Sequence, residues 1–248
     1  MRYYDCVTFF NENDLLWLRL NELKPLNPIH VIVEAAYTHT GEPKLFNFDA
    51  ERFKGFDIRY LQLHDLPNNG NAWDNENYQR DRIKDYLRDC MPKDKIFIGD
   101  LDEIPRPEAV NYYDSRMGVA GLCMDKYSCY MNLLEGVQNW SVGKLCTWEI
   151  LRQTTPNKLR NSGANFIINY AGWHISFLGG VEKMKEKLFA YAHTETVTGD
   201  LLSNLEYKFA TGQSLWGKDF WKFVDIDETF PKYLQEHKEE FKEYIKEI

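Results

Sequence analysis

Asp94-Lys-Ile-Phe-Ile-Gly-Asp-Leu-Asp-Glu-Ile-Pro105 reads as a short apolar strand, Ile96 to Ile98, that stops at Gly99 and delivers three carboxylates, Asp100, Asp102 and Glu103. Side chains alternate between the faces of a strand, so Asp100 and Asp102 point the same way if the extended run continues. Two carboxylates converging at a strand end suit a hard divalent cation, Mg²⁺ or Mn²⁺, which takes oxygen ligands and shares them with a phosphate. Asp-x-Asp alone is a weak signal and also reads as an acidic turn closed by Pro105. The strand before it and the proline after it favour a site.

Working back from this stretch, the first half alternates strand-like and helix-like segments. Tyr4 to Phe9 is a strand, and Asn11-Glu-Asn-Asp14 is an N-cap cluster for a helix whose Leu15, Leu16, Leu18, Leu20 and Leu23 face a sheet. His30 to Glu34 is a continuous apolar run closed by a carboxylate, as in a buried parallel strand. Ile58 to Leu63 is a third strand, and Asn75 to Cys90 is a helix stopped by Pro92. Strand–helix–strand alternation predicts an α/β fold with parallel strands, whose ligands bind beyond the carboxyl ends of those strands. Phe10 to Glu12, Glu34 and Asp100 to Glu103 all fall at such ends.

The second half is less regular. Val119 to Leu134 reads as one long antiparallel strand with Gly143 to Cys146 as its partner, followed by strands at Phe166 to Tyr170 and Gly172 to Phe177. Val181 to Ala192 and Leu201 to Ala210 read as helices. Tyr233, Leu234, His237, Phe241, Tyr244, Ile245 and Ile248 are spaced helically, predicting a docking helix over 231–248 that closes the domain. No repeat or linker interrupts residues 1–248, which predicts a single domain.

The 248 residues are 44% hydrophobic and 15% aromatic, enough for a sizeable core. A net charge of −8 argues against a nucleic-acid or anionic-membrane surface, since both need a basic patch. No run of 18 apolar residues predicts a membrane span, and no signal-peptide core opens the sequence. Five cysteines, an odd number with no Cys-x-x-Cys pair, read as buried thiols of a cytoplasmic protein rather than as a zinc site.

Five segments, in order, carry a resemblance: Tyr4-Asp-Cys-Val-Thr-Phe-Phe-Asn-Glu-Asn-Asp-Leu-Leu16 with Arg19 to Leu23; Val33-Glu-Ala-Ala-Tyr-Thr-His-Thr-Gly-Glu-Pro-Lys44; Gln79-Arg80; Gly99 to Pro105; and Gly172-Trp-His-Ile-Ser176. The set resembles glycosyltransferase family 17, the family of the β-1,4-mannosyl-glycoprotein β-1,4-N-acetylglucosaminyltransferase. The resemblance implies a GT-A type fold, a mixed sheet with a largely parallel N-terminal half. It also implies a UDP-sugar donor, a glycan acceptor, a divalent metal (Mn²⁺ or Mg²⁺) and inversion at the anomeric carbon. Residues 1–105 would then bind the nucleotide sugar and 106–230 the acceptor. The chain differs from animal members in showing no membrane anchor or stem, and reads as a microbial or viral member.

Site residues follow from the match. Asp100 and Asp102 fall on the family's Asp-x-Asp and are expected to hold the metal and the donor phosphates. His174, in Gly-Trp-His, is the expected third metal ligand, an imidazole being suited to Mn²⁺ at a mixed site; without the match it reads as a core histidine. Glu103 either holds the loop or contacts the donor sugar. A carboxylate at Glu34 needs a partner in a buried strand, either a nucleoside hydroxyl or an internal cation or amide. Phe10, Asn11 and Glu12 lie where base and ribose are expected, or else cap the helix. Arg80 either reaches the donor phosphates or is a solvated helix-face residue. Inversion requires a general base, for which Glu182, Glu195 and Asp125 are the candidates, Glu182 first. Tyr127, Tyr130, Trp140 and Trp148 read as an acceptor platform or as sheet packing. The expected activity is metal-dependent, inverting transfer of a sugar, N-acetylglucosamine, from UDP to a glycan hydroxyl. The alternatives are a transferase using another nucleotide sugar in capsule or lipopolysaccharide synthesis, and a catalytically idle nucleotide-sugar-binding protein.

Overall fold

A computed structural model describes residues 1–248. Four apolar segments form its centre: β1 (Tyr3–Phe9), β2 (Ile29–Ala35), β3 (Ile58–Leu63) and β4 (Lys95–Asp100), parallel in the order β3-β2-β1-β4. Helix α1 (Asn13–Leu23) links β1 to β2, and α2 (Ala72–Asp81) lies between β3 and β4. The register sets Thr8 beside Asp100 and Phe9 beside Glu34, so the carboxyl ends of these strands share one edge.

Beyond β4 the chain forms β5 (Glu103–Pro105), α3 (Pro107–Tyr112), β6 (Ala120–Leu122), β7 (Met124–Ser128), β8 (Leu133–Trp140), β9 (Lys144–Thr147), α4 (Trp148–Leu151) and α5 (Pro156–Arg160). Then follow β10 (Phe166–Ile168), β11 (Gly172–Ser176), α6 (Gly180–Ala190), α7 (Gly199–Thr211), β12 (Lys222–Phe223) and α8 (Lys232–Glu236). Strand β9 joins the first sheet antiparallel to β4, and β6 and β10 extend it to seven strands. The remaining strands make a second sheet, β12-β8-β7-β11-β5, with β7 and β11 parallel. The architecture is the mixed α/β sheet that the strand–helix alternation predicts, and no helix is long and apolar enough to cross a membrane.

Four sequence expectations are corrected. The single strand over Val119 to Leu134 is three pieces, because Cys123 and a turn at Cys129 (φ 70°) interrupt it, and β9 pairs mainly with β4. The helix of Asn75 to Cys90 begins earlier, where the Asn71 side chain accepts from the Trp73 N–H, and tightens to a 3₁₀ turn over Arg82–Tyr86. The cap expected at Asn11 or Asn13 is absent; Glu12 precedes α1 without a side-chain cap bond. The docking helix over 231–248 is α8 plus a 3₁₀ turn, Lys238–Tyr244, broken at His237. Packing explains the break. Leu234 must reach the core beside α1 while Phe241 and Tyr244, three apart, suit a 3₁₀ turn.

Helix α1 is enclosed almost all round. Leu16, Leu18, Leu20 and Leu23 have no exposed surface, with the first sheet on one side and the C-terminal segment on the other. Trp17 meets Tyr233 edge-to-face, and the Glu22 carboxylate accepts from the Tyr233 N–H at 2.9 Å.

The same helix carries a buried charge. Arg19 donates to both Asp5 oxygens, at 2.8 and 2.5 Å, and both side chains are fully buried. His30 Nδ1 lies 2.9 Å from the same carboxylate. Burial pushes the Asp5 carboxyl up, but Arg19 and His30 outweigh it and hold the group well below its usual range. Removing one member of such a pair strands the other. Asp5→Asn is therefore expected to lower the unfolding free energy by about 3–5 kcal/mol, read from urea denaturation at unchanged m; a loss below about 1 kcal/mol would show that the pair is not structurally required.

Candidate active site

A cavity of about 840 Å³ opens where the carboxyl ends of β1, β2 and β4 meet the second sheet. The parallel strands contribute Thr8, Phe10, Glu12 and Asp100, and α2 contributes Glu76, Gln79 and Arg80. From the second sheet come Lys126 and Ser128 of β7, Trp140 of β8, and His174 and Ser176 of β11. The register of β7 against β11 sets Lys126 beside His174 and Ser128 beside Ser176, so alternation aims all four at the cavity. Asp125, Tyr127, Trp173 and Ile175 consequently point to the other face.

The Asp-x-Asp segment does not stay extended. After Asp100 the chain turns through Leu101 and Asp102 and re-enters a strand at Glu103, because Arg19 Nη1 gathers the carbonyls of Leu101 and Glu103 at 3.1 and 2.5 Å. Both aspartates still line the cavity, but with different partners. Asp100 accepts from Arg80 at 2.9 Å on one oxygen and from Arg160 at 2.5 Å on the other. Asp102 accepts from the Ser176 hydroxyl at 2.8 Å and from Lys187 at 2.9 Å, and its second oxygen lies 3.5 Å from His174 Nε2.

Charge balance governs both groups. Burial raises the Asp100 carboxyl, yet the Arg160 and Arg80 guanidiniums bring it to about 2. Burial raises Asp102 as well, and Lys187 and His174 hold it well below the carboxylate range. Burial alone would lower the Lys187 ammonium, but Asp102 and Glu12 raise it instead.

Glu103 does not reach the cavity. It is fully buried, bonded by Arg160 at 2.6 and 3.0 Å, by the Asp100 N–H at 2.9 Å and by the Trp140 indole N–H, so it holds the loop. Glycine is required at 99 because a Cβ there would meet the Glu103 carboxylate at 2.7 Å. Glu34 is likewise enclosed, taken by Lys44 at 2.5 Å, the Asn47 and Phe48 N–H groups and the Tyr60 hydroxyl at 2.7 Å. That is the internal-partner reading of Glu34. Asn11 lies outside the cavity, whereas Phe10, Glu12 and Arg80 line it.

None of the three expected bases lines the cavity. Glu182 sits on the outer face of α6, its side chain 86% exposed and paired with Lys185, while Lys187 on the same helix turns inward. Asp125 faces away and accepts from the Gln138 N–H at 2.8 Å. Glu195 is exposed and lies 3.0 Å from His193 Nδ1. Of the expected aromatic platform only Trp140 lines the cavity, stacked on His174 at 4.3 Å; Tyr127 is core, and Tyr130 stacks on Phe209.

The sequence reading missed Arg160 and Lys187. Lys187 had a faint signal, falling between Met184 and Leu188 on the apolar side of α6. Arg160 had none, because its partners lie about 60 residues back.

Asp102 and His174 converge at 3.5 Å on the cavity wall, and His174 Nδ1 is buried without a partner, leaving Nε2 as the nitrogen directed to Asp102. One carboxylate and one imidazole fit Mg²⁺ or Mn²⁺ when phosphate oxygens and water complete the shell. Asp100 is committed to its two arginines, so three ligands do not converge on one point.

Residues 1–242 match the model of the family described as glycosyltransferase family 17. A solved structure described as the galactosyltransferase LgtC in complex with donor and acceptor sugar analogs is similar at a TM-score of 0.34 and 14% identity. That similarity covers 64% of this chain and 62% of the other. No curated protein matches.

Since the folded carboxyl of Asp100 is depressed below its ordinary value of about 3.9, it contributes stability at higher pH. That contribution disappears as pH falls from about 4 towards 2. In Arg160→Gln the carbon-13 carboxyl titration of Asp100 is expected to move upward, towards the ordinary value; an unmoved midpoint would remove Arg160 as a cause.

Proposed function

The chain belongs to glycosyltransferase family 17, and on that footing we propose that it transfers a sugar, N-acetylglucosamine, from UDP to a glycan hydroxyl with inversion. The observation that carries the reading is the cavity wall itself. Arg80, Arg160 and Lys187 surround Asp100 and Asp102 at the strand ends, where a GT-A type enzyme receives its nucleotide.

The reaction breaks the bond between the anomeric carbon and the β-phosphate, so negative charge accumulates on departing UDP. Preorganised cations aimed at that charge lower the barrier without reorganising during the step. Lys187 and Arg80 are each largely buried and held by neighbouring carboxylates, which fixes their position before a donor arrives. Phe10 and Glu12, at the end of β1, are the proposed contacts for base and ribose. The Asp102–His174 pair would hold Mn²⁺ or Mg²⁺, which when bound neutralises pyrophosphate charge as a Lewis acid. Ser176 and Lys187 fix the Asp102 carboxylate, and Trp140 fixes the ring plane of His174.

A thermal-shift panel tests the donor and the metal together. UDP-GlcNAc with Mn²⁺ is expected to raise the melting midpoint, by about 2.7 kcal/mol of stabilisation at a hundred times its Kd. EDTA and Asp102→Ala should each remove most of that shift. A shift with UDP-Glc, UDP-Gal or GDP-mannose instead would keep the transfer reading and change the donor; no shift with any of the four would sink it.

A further inference from the structure

We propose that the general base is His193, acting through Nε2, and that Glu195 is its positioning residue. The inference rests on the glycosyl-transfer reading and supplies the group that it lacks.

Four acidic side chains line the cavity, and each is engaged. Glu12 accepts the Phe10 and Asn11 N–H groups and lies 3.8 Å from Lys187. Glu76 is bonded by Arg80 at 2.7 Å. Asp100 and Asp102 carry the cations described above. Their oxygens are occupied by these donors, and all four lie with the cations suited to the leaving group.

Three histidines also line the cavity. His39 is engaged by Gln79 at 2.9 Å, and burial lowers its imidazole. His174 faces Asp102. His193 differs from both, because its side chain is 52% exposed against 22% and 9%, so a hydroxyl entering from solvent meets it first. Its Nδ1 lies 3.0 Å from a Glu195 carboxylate oxygen, and no protein group occupies Nε2. A carboxylate on Nδ1 makes that nitrogen the donor and leaves the Nε2 lone pair free, the tautomer a base requires.

The ring is also held in place. Trp73 abuts it edge-on with centroids 4.4 Å apart, and Tyr191 flanks it at 5.6 Å. The Thr196 hydroxyl bonds the His193 carbonyl at 2.8 Å and meets the Tyr191 hydroxyl. In the step itself the acceptor oxygen forms a bond to the anomeric carbon as its proton passes to Nε2. The bond from that carbon to the β-phosphate oxygen breaks, and its electron pair leaves on UDP.

The test uses the whole chain and the four nucleotide sugars with Mn²⁺, measuring release of the nucleoside diphosphate (UDP, or GDP from GDP-mannose) with water as acceptor, so that the natural glycan is not needed. For His193→Gln, donor affinity by calorimetry should stay within about twofold while turnover falls by about 10²–10⁴-fold, with loss of the acid-side limb of the pH profile. Added imidazole should restore turnover in His193→Ala. Nitrogen-15 spectra of the wild type should show His193 protonated on Nδ1, and Glu195→Gln should shift that population towards the Nε2–H form. If wild type turns over and His193→Gln stays within about threefold of it, or if wild-type His193 is protonated on Nε2, the base assignment is overturned alone. Absence of nucleoside diphosphate release from all four sugars in the wild type overturns the transfer reading, and the base with it.

Discussion

The Arg19 guanidinium is the constraint on which the site's geometry depends. A charge with no exposed surface is tolerable only when well bonded, and Arg19 finds its partners in two separate segments. Asp5 of β1 neutralises it, while the carbonyls of Leu101 and Glu103 fill its remaining donors. The loop after β4 therefore cannot continue as an extended strand; its carbonyls must turn inward towards α1. That turn separates Asp100 from Asp102 and directs one to the arginines and the other to β11. A second buried guanidinium, Arg160, fastens the same loop from the opposite side through Glu103 and Asp100. Two arginines thus determine where two aspartates sit.

This arrangement also explains how an acidic chain can present an anion-receiving wall. The net charge is −8, whereas the cavity concentrates cations held by carboxylates of the same protein. Low local dielectric strengthens those pairings and makes any unpaired member costly. On the proposed reading an incoming diphosphate would not meet bare charge but would share cations already positioned by Asp100, Asp102, Glu12 and Glu76.

The sequence made visible what depends on local periodicity. Strands β1 to β4 were legible from apolar runs ending in polar clusters, and so was the edge at which Asp100, Asp102, Phe10 and Glu12 gather. What it hid depends on distant partners or on helical phase. Arg160 ends the short helix α5, its importance comes from Glu103, and nothing within five residues of it signals that. Glu182 was misplaced because a position just past a glycine turn says nothing about which side of α6 it occupies; Met184 and Leu188 fix that phase and turn Lys187 inward. The placement of Asp125 was within reach of the sequence. Strand alternation puts it opposite Lys126 and Ser128, so a cavity receiving those two excludes it.

The two sides of the cavity are built differently, and the difference bears on what each can do. The side bearing Asp100, Asp102 and His174 rests on strands buried on both faces, with both aspartates locked by several bonds and His174 held by stacking on Trp140. Such a wall tolerates little displacement, which suits the fixed stereochemistry of the leaving group in the proposed transfer. The side bearing Tyr191, His193 and Thr196 lies between α6 and α7, half-exposed and held by a few contacts among its own residues. Segments of that kind accept sequence change with little effect on the core, which is where binding specificity is most readily altered. Trp216 and Trp73, both partly exposed and both lining the cavity, flank this softer rim. Aromatic faces on an adaptable rim can accommodate differently shaped sugar acceptors, while the rigid floor continues to receive one kind of donor.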